Sequence, residues 1–92
     1  MFGGHGLSVD GAMVALVTRG TVYLKADAEN RAAFERAGLE PFTYDSVRGR
    51  VTTSFHRAPE RLDDWDVLGP LATGSLAAAR RALARRRPRR VR

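Results

Sequence analysis

Two dipeptides, Asp10-Gly11 and Arg19-Gly20, cut the first 25 residues into three short apolar runs, and they restrict the fold more than anything else in the chain. Glycine takes the positive φ of a tight hairpin turn without a steric penalty. Around the breakers stand Val9, Val14, Val17, Thr18, Thr21, Val22 and Tyr23, the β-branched and aromatic side chains that suit a pleated, half-buried surface. Strands joined by two residues can only be antiparallel neighbours, because a parallel pair needs a crossover of a dozen residues or more. The chain therefore begins as a β-meander.

Further along, Asp27 is placed to cap a helix over residues 28–37, with Ala33, Phe34 and Ala37 as its buried stripe and Gly38 as its left-handed stop. Pro41 precedes a short extended run over 42–44. Arg48-Gly49-Arg50 reads as a turn into a strand over 51–56, with Val51, Thr53 and Phe55 on one face. Ala58-Pro59 ends that strand. Pro70 lacks an amide proton and fits a first turn, so it divides the remainder into a short helix over 62–68 and a longer one over 70–86. Leu68, Leu71, Ala72, Ser75, Leu76, Ala79 and Leu83 follow the rhythm of one buried helix face. Asp63, Asp64 and Asp66 read as caps, and Trp65 as the side chain that pins this region to the sheet. Pro88 stops the helix.

The fold class expected is α+β, a two-layer sandwich of about five antiparallel strands covered by helices on one face. Its order is β-β-β-α-β-β-α, with a further α if Pro70 divides the last helix. The 92 residues suffice for one domain. Cysteine is absent, which removes disulfide staples, thiol catalysis and cysteine-based zinc sites together. No apolar run approaches the roughly 18 residues that a membrane span needs. The N-terminus also lacks the basic region and apolar core of a signal peptide, so a cytoplasmic location is expected.

Candidate chemistry is sparse. Gly3-Gly4-His5-Gly6 lacks the strand before, the helix after and the Gly-Lys-Ser/Thr signature of a phosphate loop, and reads as a lead-in at the sheet edge. His5 and His56 are the only histidines, too few for a zinc centre, so no metal and no cofactor is expected. Ser8, Ser46, Ser54 and Ser75 carry no nucleophile elbow. Ser54 and His56 lie two apart on a strand and form a remote hydrolase pair, without a carboxylate placed to orient the ring. The aromatics lack the paired motifs of an RNA-recognition sheet and are assigned to packing. No catalytic residue is assigned, and the expectation is a protein without enzymatic activity.

The wording Met1-Phe-Gly-Gly-His-Gly-Leu, Val14-Ala-Leu-Val17, Val22-Tyr-Leu-Lys-Ala-Asp27 and Leu39-Glu-Pro-Phe-Thr-Tyr44 resembles the N-terminal domain of the TfoX/Sxy family, from Met1 to about Arg81. The resemblance implies a small α+β domain in which helices cover one antiparallel sheet. It also implies a link to regulators of natural competence, which act by partnering transcription machinery. In one respect the chain departs from that pattern: the usual helix before Met-Phe-Gly-Gly is missing. Either a homodimer or a protein partner covers the sheet face that the helix would occupy, or the natural start lies upstream of Met1.

Net charge is +6, but the charge is divided along the chain. Residues 1–79 hold eight basic and ten acidic side chains, whereas residues 80–92 hold eight arginines and no acid. A domain over 1–79 and an arginine-rich helix end and tail over 80–92 are therefore expected. Arg80, Arg81, Arg85, Arg86, Arg87, Arg89, Arg90 and Arg92 form the candidate nucleic-acid-binding set, since guanidinium forks grip phosphates and release counterions. Such contacts position a protein on nucleic acid without reading its sequence. An adaptor that binds protein partners, with this tail as an accessory grip, is the leading expectation. A non-specific nucleic-acid binder is the alternative.

Overall fold

The computed structural model describes residues 4–86. Strands β1 (His5–Val9), β2 (Ala12–Thr18) and β3 (Thr21–Lys25) form the meander, followed by helix α1 (Arg31–Arg36). Strands β4 (Pro41–Ser46) and β5 (Gly49–Arg57) and helix α2 (Trp65–Arg86) complete the fold. All neighbouring strands are antiparallel, in the order β1-β2-β3-β5-β4. The chain is thus the α+β, five-stranded architecture its sequence predicts.

Both hairpins of the meander turn as the dipeptides dictate. Asp10 and Gly11 have φ of 51° and 84°, and Arg19 and Gly20 have 52° and 77°, positive at both central positions as a type I′ turn requires. The β1–β2 ladder shifts register, pairing Leu7 with Ala15 but Ser8 with Met13, so that Val14 is the extra residue of a bulge. The bulge lets Ala12 and Ala15, three apart, both be buried. Gly4 passes so close to Val17 and Thr18 that a Cβ there would collide with backbone. At the end of α1 Gly38 takes φ +72°, and the Gly38 and Leu39 amides donate to the Glu35 and Phe34 carbonyls at 3.1 and 2.9 Å. These two bonds satisfy carbonyls that the helix end leaves open, as in a Schellman motif.

The core is small. Ala15, Leu24, Ala26, Phe34, Ala58 and Leu71 form it, with Val22, Ala33, Leu39 and Leu68 packed around them. Helix α2 lies against β2 and β3. Its inner side is built from small residues, Ser75, Ala78 and Ala79, all at most 2 % exposed, so the helix can approach the sheet closely. Gly74 meets the Asn30 turn, where an added Cβ would sit 3.4 Å from Asn30 Cβ.

Several local expectations need correction. Pro70 does not divide the last segment: α2 is one helix of 22 residues with the proline inside it. Pro70 is exposed, while Leu68 and Leu71 enter the same core on either side of it. That shared burial outweighs one missing hydrogen bond near an exposed helix end. Helix α1 starts at Arg31 rather than at 28, because a turn closes first. In that turn the Glu29 amide donates to Asp27 Oδ1 at 2.9 Å, and the Asp27 amide donates back to Asn30 Oδ1 at 2.6 Å. Ala37 is exposed, leaving Phe34 as the one buried residue of α1. Trp65 does not pin anything to the sheet, being 70 % exposed.

Candidate functional site

The C-terminal end of α2 carries the arginines described in the structure, and their roles differ. Arg81 reaches back to the turn after β3, where Nε donates to Asp27 Oδ2 at 2.7 Å and Nη2 to Asp27 Oδ1 at 2.9 Å. Its Nε also lies 3.2 Å from Glu29 Oε2. This two-pronged geometry matches a planar guanidinium to a carboxylate. The Arg81 hydrogen bond holds the Asp27 carboxyl down at about 2, helped by the Glu29 and Asn30 amides and opposed by partial burial. The same pairing raises Arg81 above its ordinary value.

Arg81 is thus neutralised within the domain, whereas Arg80 and Arg85 are exposed and Arg86 ends the helix. Arg87, Arg89, Arg90 and Arg92 lie outside the described residues. Alternating exposure along a helix separates these roles: 80 and 81 are 100° apart around the axis, so neighbouring arginines face different surroundings.

The other end of α2 is acidic and apolar together. Asp63, Asp64 and Asp66 are all exposed around Trp65, and Leu62 and Val67 beside them are 45 % and 44 % exposed. The helix is opened by the Asp64 carbonyl, which accepts from the Val67 and Leu68 amides at 3.2 and 2.9 Å. No aspartate side chain caps it among the described residues; Asp63 instead meets Arg61 at 3.5 Å. Sequence reasoning missed this surface. The available signal was a tryptophan bracketed by three acids, an unusual setting for a core residue.

Ser54 and His56 line one cleft of about 580 Å³ beside α1, together with Leu39, Pro41, Arg31 and Glu35. The two are committed to other partners. His56 is buried, stacks on Phe34 with centroids 5.2 Å apart, and its Nδ1–H donates to the Leu39 carbonyl at 2.8 Å. Ser54 Oγ accepts from Lys25 Nζ at 2.7 Å. The hydroxyl that a nucleophile would use therefore faces a cation rather than a base. Among the described residues no cluster of three His, Cys, Asp or Glu is arranged to hold a metal ion.

On the sheet face away from the helices, strand alternation brings several aromatic rings together. Tyr23 and Phe42 have centroids 4.8 Å apart, Phe42 and Tyr44 6.2 Å, and Lys25 Nζ stands 5.1 Å from the Phe55 centroid. These rings are half-buried rather than central to the core, which corrects their assignment to core packing. Phe2 lies outside the described residues.

Comparison with known families matches residues 1–79 to the TfoX N-terminal domain, and the chain belongs to that family. Membership supports a regulatory type of domain. Comparison with curated proteins gives no match.

Proposed function

We propose that this TfoX N-terminal family domain is a non-enzymatic, cytoplasmic adaptor for transcriptional regulation of the competence type. It acts by protein–protein contact with transcription machinery or with a regulator, while the arginine end of α2 and the residues after it add a non-specific grip on nucleic acid. Family membership supports the regulatory part. The observation that carries the rest is how the cations are shared out. Arg81 is tied to Asp27, and Arg80 and Arg85 are turned outward ahead of the further arginines that end the sequence. A row of outward guanidinium groups is the electrostatic footprint of phosphate binding. No helix among the described residues is long and apolar enough to cross a membrane.

The test uses the full chain, because ending it at residue 79 would remove Arg81 and with it the contact to Asp27. Gel-shift titration over a range of salt should give a slope of log K against log salt near −3.6 if about four arginines engage phosphates. Replacing Arg80, Arg85, Arg87 and Arg89 by glutamine should make that slope clearly shallower. An unchanged slope removes the nucleic-acid grip from this reading. Affinity capture from native lysate after nuclease treatment addresses the adaptor role, which fails if nuclease abolishes every captured partner.

A further inference from the structure

We infer that a second copy of this chain docks antiparallel along the outer face of α2, joining the acidic, tryptophan-bearing end of each helix to the arginine end of the other. The inference does not depend on the protein partner proposed above, and in the dimer Arg80 and Arg85 serve the second copy in place of nucleic acid. Asp66, Pro70, Thr73, Ala77, Arg80 and Ala84 are all exposed on α2 and recur at alternating steps of four and three. That spacing makes a nearly straight seam along one side of the helix, the arrangement by which two helices pair. The opposite side of α2 is already buried against β2 and β3. On α2, the outer seam is the side left open.

Charge decides both occupant and direction. One end of the helix presents Asp63, Asp64 and Asp66, and the other presents Arg80 and Arg85. A parallel copy would set acid against acid and arginine against arginine. An antiparallel copy sets opposite charges together at both ends, and twofold symmetry makes each favourable contact occur twice. Arg81 takes no part, because Asp27 holds it on the domain's own side.

The register follows from the side chains. Crossing midway between Thr73 and Ala77 puts two small seam residues at the centre, where two helices approach within about 8–10 Å. Asp66 then falls about one helical turn from the partner's Arg80. Trp65, 70 % exposed, stands about 100° round the helix from the seam and takes no part in it.

The experiment is sedimentation equilibrium on nuclease-treated full-length protein, from roughly 1 μM to 1 mM, at low and high salt. The expected result is a monomer–dimer equilibrium that shifts toward monomer as salt rises. D63R/D66R and R80E/R85E, each reversing charges at one end of the helix, should each dimerise at least about tenfold more weakly than the wild type. An equimolar mixture should recover the dimer, because in an antiparallel pair the reversed end of one variant meets the reversed end of the other. A wild type that stays monomeric overturns the inference, as does undiminished dimerisation of either variant alone or a mixture that fails to recover. Should a charge-reversed chain lose its circular dichroism, Ala77→Arg, exposed at the centre of the seam, carries the test instead. That exposed substitution leaves the core intact and must weaken the dimer by a similar factor; unchanged association refutes the seam.

Discussion

Replacing Asp27 with asparagine isolates the charge in the contact that ties α2 to the rest of the fold. Asparagine keeps an oxygen able to accept from the Glu29 and Asn30 amides, so the turn survives while the ion pair with Arg81 does not. The Asp27 carboxyl is lowered from 3.8 to about 2. At about 1.4 kcal/mol per tenfold change in acidity, that depression sets a ceiling of about 2.4 kcal/mol. The Asp27 side chain is 14 % exposed but Arg81 is 31 % exposed, so solvent screening reduces the expected loss to about 1 kcal/mol. In a domain of this size, a loss of that order lowers the melting temperature by about 4–8 °C.

Acid should erase the difference. A carboxyl held below its unfolded value stabilises the fold fully above about pH 4, and the contribution disappears as pH falls through about 2. The assay is urea unfolding of wild type and Asp27→Asn, followed by circular dichroism at pH 7 and again at pH 2. The wild type should have the higher midpoint at pH 7, and the two should converge at pH 2. A gap as wide in acid as at neutrality, or no gap at pH 7, would refute the electrostatic account of this contact.

Ser75 is fully buried, and its hydroxyl has no hydrogen-bond partner among the described residues. Ser75→Ala should therefore raise stability by about 1 kcal/mol, by removing an unsatisfied polar atom and improving helix propensity. A lower urea midpoint would reveal a partner for that hydroxyl. Phe34 is 0 % exposed and is the largest side chain in a core otherwise rich in alanine. Phe34→Ala should cost about 3–5 kcal/mol, much of what a small domain has in total, and collapse the dispersion of its amide NMR spectrum. A folded, well-dispersed spectrum would show that the core does not depend on this ring.

Much of the fold could be read from neighbouring residues alone. Asp10-Gly11, Arg19-Gly20 and Gly38 adopt the positive φ that their residue types announce, and each resulting turn constrains which segments lie side by side. The five strands followed from those turns and from β-branched runs between them. The divided charge was equally legible, because it needs only counting. Individual fates were not. Trp65 reads as a core residue by type yet stands in solvent, since the sheet beneath α2 is already filled by Leu71, Ser75, Ala78 and Ala79. Pro70 reads as a helix start, but burial of leucines on both sides carries the helix through it.

The local code thus determined where the chain turns and which segments are extended or helical, because φ preferences and side-chain branching act over a few bonds. Tertiary structure decided which arginine is a clamp and which face outward. Asp27 and Arg81 are 54 residues apart, and nothing in either neighbourhood announces the other. Their meeting depends on the angle at which a helix of alanines and serine settles on the meander, a quantity set by packing across the whole domain.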